Sequence, residues 1–111
     1  MQVWREAKAL AVTIYTTTAN LRDLGLRDQI RRSAVSVPSN IAEGDERDTD
    51  KDSVRFFYIA KGSLAELCTQ IEIATEVGLI PPQTAESILS QASLIGRKLG
   101  ALIKARTPHV S

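Results

Sequence analysis

Apolar side chains recur at alternating intervals of three and four residues in four separate stretches of this chain. This spacing places them on one stripe of an α-helix, and no strand pattern is strong enough to compete with it. The clearest stretch carries Phe57, Ala60, Leu64, Leu67, Ile71 and Ala74. Four amphipathic helices with short connections pack most economically as an up-down bundle. The pattern therefore predicts an all-α protein, an antiparallel up-down four-helix bundle.

The first two helices are expected to be separated by a glycine. Several threonines and an asparagine lower the helix propensity before Leu21, so the first helix should end near that residue. Gly25 then breaks the chain, and the second helix should begin at Leu26 or Arg27. Gly44 is the expected terminator of the second helix, since glycine tolerates the left-handed conformation at a helix end.

The third and fourth helices have their own boundary signals. An acidic connection, residues 45–52, offers Thr49 or Asp50 as the N-cap of the third helix. Gly78 should close that helix, and Pro82 suits the first turn of the fourth helix.

Gly96 and Gly100 lie four residues apart in the fourth helix. They are either tolerated small residues or the flat face of a close helix contact, within one subunit or between subunits. The sequence leaves both interpretations open.

Pro38 lies inside the apolar row of the second helix, where every other signal favours a helix. A proline there removes a backbone donor and costs roughly 3 kcal/mol or more, so we expect the second helix to be kinked at Pro38. The kink would release backbone carbonyl groups, which short polar side chains can bond. The candidates for this role are Ser33, Ser36, Ser39 and Asn40.

The chain length of 111 residues fits one domain over residues 1–111, with a short frayed tail at about 106–111. Cys68 is the only cysteine, which excludes an internal disulfide and favours a reduced, cytoplasmic location. No stretch has the roughly 20 apolar residues that a membrane-spanning helix needs, so no membrane partner is expected.

Five polar residues lie on or beside the apolar stripes and could form a hydrogen-bond network. They are Asn40, Glu43, Ser63, Glu66 and Gln70. A metal site in a bundle typically uses Glu-x-x-His spacing, but the only histidine, His109, lies in the tail. Phosphate-binding glycine loops and paired metal-ligand cysteines are also missing. The sequence therefore predicts no metal, no cofactor and no enzymatic activity.

Basic side chains form two groups that could contact nucleic acid. The first group is Arg27, Arg31 and Arg32, and the second is Arg97, Lys98, Lys104 and Arg106. Cations neutralise phosphates and release counterions, so a basic face repeated around an oligomer could bind RNA although the net charge is only +1. The alternative is that these residues are solvated charges or helix-end salt bridges. Arg31 could pair inside the bundle with Glu43 or Glu66, which would make it structural.

Four segments resemble the bacterial four-helix bundle protein family, whose first-described members are encoded within intervening sequences of 23S ribosomal RNA genes. The two long segments are residues 29–44 (QIRRSAVSVPSNIAEG) and 55–67 (RFFYIAKGSLAEL), and the short ones are Val3 with Trp4 and residues 95–97. The resemblance extends over about residues 3–104. Within the long segments, a structural role is expected for Pro38, Ser39, Asn40, Glu43, Gly44 and Glu66.

The resemblance implies an antiparallel bundle that assembles into a homopentameric ring and has no established enzymatic activity. Related pentameric bundles serve as accessory proteins of diversity-generating retroelements, where a basic surface engages nucleic acid and a reverse transcriptase. Binding of RNA or of a ribonucleoprotein is therefore the leading expectation, although the acidic connection nearly cancels the basic charge. The alternative, from a different class, is a protein scaffold or adaptor ring that binds no nucleic acid.

Overall fold

Four helices account for most of the chain in the computed structural model, which describes residues 1–107. They are α1 (Gln2–Thr17), α2 (Leu24–Asp45), α3 (Asp50–Glu76) and α4 (Pro82–Arg106). Each helix packs against the next one along the chain, and α1 also packs against α4, which closes the cycle. The molecule measures 47 × 23 × 20 Å. This arrangement confirms the predicted antiparallel up-down four-helix bundle.

The predicted apolar stripes form the core. The largest fully buried side chains are almost all aliphatic, and Phe57 is the one buried aromatic among the described residues. The aliphatic ones are Ile14, Ile30, Val37, Ile41, Leu67, Ile71, Ile88, Ile95 and Leu99. Each such side chain contributes about 1.5–3 kcal/mol when it is removed from water, so the stripes on all four helices stabilise one shared core.

The connection between α1 and α2 differs from the prediction. Helix α1 ends at Thr17 instead of Leu21, and its C-cap is the buried Thr18, whose Oγ1 donates to the carbonyl of Ile14 at 2.7 Å. Helix α2 begins earlier than predicted, at Leu24, because the Asp23 side chain accepts a hydrogen bond from the Leu26 amide at 3.0 Å. Gly25 therefore lies in the first turn of α2 and does not separate the helices.

Gly44 is not a helix terminator, so that prediction is wrong. The helix continues to Asp45, and Gly44 is buried where α2 crosses the start of α3. A Cβ atom at Gly44 would lie 2.5 Å from Cε1 of Phe57, and the Ser53 hydroxyl donates to the Gly44 carbonyl at 2.7 Å. Gly44 is thus required because α2 and α3 approach each other closely at this point. It is not required for a left-handed backbone conformation, since its φ is not positive.

The other boundary predictions for α3 and α4 are confirmed. The Thr49 hydroxyl caps α3 by accepting from the Asp52 amide at 3.2 Å, Gly78 has a left-handed φ of 81°, and α4 begins at Pro82. Helix α4 extends to Arg106, and the frayed tail predicted at about 106–111 stays a prediction. Residues 108–111, including His109, lie outside the described residues.

Pro38 is buried inside α2, which is one continuous helix on both sides of it. The kink at this residue stays a prediction. Asn40 donates from Nδ2 to the Ser36 carbonyl at 2.9 Å, so one of the four candidate side chains does bond a carbonyl. That carbonyl is not the one Pro38 leaves without its donor, which belongs to Ala34. The Ser36 hydroxyl instead bonds the hydroxyl of Ser63 on α3 at 2.7 Å.

Candidate nucleic-acid interface

Helices α3 and α4 run in opposite directions, and one contact fixes their register. A Cβ atom at Gly96 would lie 3.4 Å from Cδ2 of Leu64, whereas one at Gly100 would meet nothing within 4 Å. Gly96 therefore marks a helix contact within the subunit, and Gly100 is a tolerated small residue in this single chain. Residues that precede Leu64 on α3 lie beside residues that follow Gly96 on α4. The Arg106 guanidinium agrees with this register, since its Cζ lies 5.4 Å from the centre of the Phe57 ring.

The outer groove between α3 and α4 is acidic at the end where the two helices connect. A cavity of about 690 Å³ lies there, lined by Glu72 and Glu76 from α3 and by Glu86 from α4. Ala85 and Leu89 contribute apolar lining. This half of the groove repels phosphate groups.

The other half of the groove is basic. On α3, Lys61 precedes Glu72 by eleven residues, which is about three helix turns, so the two side chains lie on the same face of the helix. On α4, Arg97 follows Glu86 by the same interval and lies on the same face as that residue. Lys104 follows Arg97 by two turns on α4. All three cations are exposed, and within residues 1–107 none of them makes an ion pair. The register places these cations in the half of the bundle that is remote from the connection between α3 and α4.

An exposed tyrosine lies within this basic half. Tyr58 precedes Lys61 by about one turn on α3, and 58% of its surface is exposed. Lys51 and Arg55 precede it on the same exposed side of the helix. The acidic connection, residues 45–52, borders this end of the surface. We call Tyr58, Lys61, Arg97 and Lys104 the basic groove.

Arg31 pairs with neither Glu43 nor Glu66, the two partners that the sequence left open. It lies on the side of α2 that faces α1, where Nε donates to the Thr18 hydroxyl at 2.9 Å and Nη2 donates to the Tyr15 carbonyl at 3.2 Å. Its Cζ also lies 4.4 Å from the centre of the Tyr15 ring. Arg31 thus holds the end of α1 against α2.

Besides Arg31, which makes hydrogen bonds to α1, three of the seven predicted contact residues form ion pairs. Arg27 pairs with the neighbouring Asp28 at 3.3 Å. Lys98 joins α4 to α1 by pairing with Glu6 at 2.6 Å, and Arg106 joins α4 to α2 by pairing with Asp45 at 3.6 Å. Partly exposed pairs of this kind contribute on the order of 1 kcal/mol or less, so they stabilise the bundle weakly while reducing the charge available to a ligand.

The two predicted groups do not form one surface within a single chain. Arg31 lies near the start of α2, and Arg106 lies beside Asp45 at the end of α2. Arg31 and Arg106 are therefore roughly 21 Å apart along the bundle. The rest of the second group lies on α4, which is diagonally opposite α2. Of the seven, Arg32, Arg97 and Lys104 are exposed and make no ion pair with any of the described residues.

Arg32 lies at a second cavity, of about 330 Å³, between α2 and α3. Its lining is polar and consists of Gln29, Arg32, Ser33, Ser36, Ser63, Glu66 and Gln70. The buried Oε1 of Gln70 has no hydrogen-bond partner in the described part of the chain, and an unpaired buried acceptor costs about 1–3 kcal/mol. We call this cavity the α2–α3 pocket.

The predicted polar network exists only in part. Asn40 and Ser63 both bond Ser36, but Glu43 pairs on the surface with Arg47 one turn away. Glu66 and Gln70 line the α2–α3 pocket and make no side-chain hydrogen bond with the described residues. Ser39 is exposed. The network therefore joins α2 to α3 at Ser36 and Ser63 and extends no further.

Cys68 lies half-buried on α3, where burial and then the nearby Glu72 carboxylate raise the pKa of its thiol above the ordinary value. A thiol with a raised pKa stays protonated at neutral pH and is a poor nucleophile. Across residues 1–107, no group of three or more His, Cys, Asp or Glu side chains could hold a metal ion. None of the four helices combines the length and apolar character that crossing a bilayer requires.

Sequence reasoning missed Tyr58, Lys61, Lys51 and Arg55 as members of a basic surface. The signal was present, because an aromatic residue and cations recur at helical spacing on the polar side of α3. Their neighbours on α4 depend on the register set by Gly96 and Leu64, which the sequence alone does not give.

Comparisons with known proteins agree with this architecture. The family model described as 23S rRNA-intervening sequence protein matches residues 1–101. A solved structure from Bacteroides thetaiotaomicron, described as a protein with unknown function from the S23 ribosomal protein family, has a TM-score of 0.87 and 24% sequence identity, and the match covers 92% of this chain and 98% of that chain. That identity supports the fold alone, and no curated protein matches the sequence. Because the family model covers most of its length, the chain belongs to the 23S rRNA-intervening sequence protein family.

Proposed function

We propose that this chain is a non-enzymatic, oligomeric, cytoplasmic protein that binds single-stranded RNA through its basic groove. One observation carries the proposal. By helix register, Lys61, Arg97 and Lys104 lie on the same half of the α3–α4 surface as the exposed Tyr58, and none of these cations is neutralised by an ion pair with another described residue. Membership of a family named for a ribosomal RNA element supports the choice of RNA.

The chemistry of the basic groove suits a single strand. Lys and Arg side chains neutralise phosphates, which releases counterions, and a base can stack on an exposed tyrosine for about 1–3 kcal/mol. Gly62 and Gly100 lie beside the cations, and a Cβ at either would meet nothing within 4 Å. A strand could therefore approach the backbone of both helices closely.

The seven basic residues predicted from the sequence take different places in this proposal. Arg97 and Lys104 belong to the basic groove, and Arg32 lies on a separate surface at the α2–α3 pocket. The other four make contacts within the bundle, so we assign them smaller contributions to RNA affinity. They are Arg27, Arg31, Lys98 and Arg106.

We propose a homopentamer as the assembly state, following the family resemblance. Exposed apolar side chains near the end of α3 support a contact between subunits, because neighbouring exposed apolar residues mark interaction surfaces. They are Ile73 and Val77, which lie one helix turn apart. A ring would repeat the basic groove, so that weak contacts from several subunits add up in binding one RNA molecule.

The same apolar side chains favour a second candidate function, that of a protein adaptor. In that case the exposed row on α3 would bind another protein, and the cations would only keep the ring soluble. The two candidates differ in salt dependence, because phosphate contacts weaken steeply as salt rises whereas apolar contacts do not.

Replacing Arg97 and Lys104 together by Ala tests where RNA binds. We expect the affinity for a single-stranded RNA to fall about tenfold, with a salt slope reduced by roughly 0.7 for each phosphate contact removed. The matched control replaces Arg5 and Arg22, which are exposed on other parts of the surface and change the net charge equally. Equal losses in the two double variants would show that net charge, and not the basic groove, governs binding.

A further inference from the structure

We propose that the α2–α3 pocket binds one unpaired guanine base of the RNA strand, an inference that rests on the RNA binding proposed above. Arg32 from α2 and Glu66 from α3 line this pocket from opposite helices. They make no ion pair with each other or with other described residues. The guanidinium and the carboxylate thus line the same cavity without forming an ion pair. A ligand can bind between them if it offers an acceptor to the guanidinium and donors to the carboxylate.

Guanine carries this combination of groups on two edges. An arginine guanidinium donates to guanine O6 and N7 on the Hoogsteen edge, and this is the commonest specific arginine contact with a base. The Watson–Crick edge offers N1–H and the N2 amino group, which a carboxylate can accept together. Adenine and cytosine each offer the carboxylate one amino group, N6 or N4, and uracil offers one N–H, so none of them supplies the two adjacent donors that guanine does.

The size and the remaining lining of the pocket suit a single base. Its volume of about 330 Å³ is at the lower end of ligand sites, which begin at roughly 300 Å³. The hydroxyls of Ser36 and Ser63, 2.7 Å apart, supply further polar groups. The buried Oε1 of Gln70, which has no partner among the described residues, could accept from the N2 amino group after the amide rotates toward the cavity.

The pocket is within reach of a strand that lies on the basic groove. Tyr58, Gly62 and Glu66 follow each other at intervals of one helix turn on α3, so Tyr58 and Glu66 are about 12 Å apart along the helix. Gly62 has no side chain, and a Cβ built there would meet nothing within 4 Å. No side chain at this position therefore obstructs an RNA strand that passes over α3 from Tyr58 to Glu66. One base could therefore stack on Tyr58 while another enters the pocket, since sequence-specific RNA recognition acts on unstacked bases of single strands.

The test compares two labelled RNA strands of equal length by fluorescence anisotropy at low salt: one of uridine only, and one with a single central guanosine. We expect the full-length protein to bind the guanosine strand about tenfold more tightly. Glu66→Gln should abolish this preference, so that the two strands bind with equal affinity. The matched control, Glu72→Gln, removes an exposed carboxylate of α3 outside the pocket and should keep the preference. Circular dichroism confirms that both variants are folded.

The possible outcomes separate this inference from the proposed function. Equal affinity for the two strands would overturn the guanine pocket while RNA binding stands. A guanosine preference that survives Glu66→Gln would also overturn it, because the base would then be recognised elsewhere. No binding of either strand at low salt would overturn both the RNA-binding function and the pocket. A strand with inosine, which lacks the N2 amino group, should bind with intermediate affinity if the carboxylate accepts from both guanine donors.

Discussion

A side chain at position 44 would collide with the ring of Phe57, since a Cβ built on Gly44 lies 2.5 Å from Phe57 Cε1. The Ser53 hydroxyl also holds the Gly44 carbonyl, at 2.7 Å. Together these contacts bring the end of α2 against the start of α3. The glycine of the family-like segment 29–44 therefore serves interhelix packing.

Replacing Gly44 by Ala should destabilise the bundle by about 1–3 kcal/mol, because the added methyl group forces the rigid ring or the α3 backbone to move. Gly62→Ala is the matched control in α3. Nothing lies within 4 Å of its added Cβ, so it should stabilise the protein by about 0.5–1 kcal/mol through helix propensity. Urea unfolding followed by circular dichroism measures both free energies. A neutral Gly44→Ala would show that the α2–α3 contact is looser than described.

Arg31 and Arg32 are neighbours in sequence and should respond differently to replacement by Ala. Arg31→Ala removes the hydrogen bonds to Thr18 and Tyr15 and should lower the free energy of unfolding by about 1–2 kcal/mol. Arg32→Ala should leave stability within about 0.5 kcal/mol, because the residue is exposed. Urea unfolding of the two variants provides the comparison. Equal stability losses would contradict the structural role assigned to Arg31.

Cys68 should react slowly with iodoacetamide at pH 8 in the folded protein and faster in urea. The thiolate is the reactive form, and burial together with Glu72 raises the thiol pKa in the folded state. The folded protein therefore holds this proton to higher pH than the unfolded chain. The linked stability is present below the unfolded pKa and is lost as pH rises toward the folded pKa. A folded-state rate equal to the unfolded rate would contradict the raised pKa.

The assembly state has a direct measurement. Light scattering of the purified protein should give a mass of about five subunits, in keeping with the family resemblance. Ile73→Glu places a charge on the exposed apolar row of α3 and should shift the mass toward the monomer, whereas Val12→Glu, on the exposed side of α1, serves as the control. A monomeric wild-type protein would contradict the pentamer.

The sequence was sufficient to predict the four helices and their buried stripes. Apolar residues that alternate at intervals of three and four lie on one face of a helix, and four such faces pack into one core. Local caps at Thr49 and Gly78 were also readable. The role of Gly44 was not readable, because the glycine is required by its contact with the Phe57 ring, thirteen residues further along the chain. The partners of Arg31 were not readable either, because nothing in the sequence tells which side of α2 faces α1. The basic groove depends in the same way on the register between α3 and α4.

The salt dependence of RNA affinity tests the proposed function most directly. A labelled single-stranded RNA is titrated with the wild-type protein at several salt concentrations between low and physiological ionic strength. Binding through the basic groove predicts measurable affinity at low salt and a linear fall of the logarithm of affinity with the logarithm of salt, with a slope of about −0.7 for each phosphate contact. A folded oligomer that binds no RNA at low salt would contradict RNA binding and leave the adaptor as the remaining candidate.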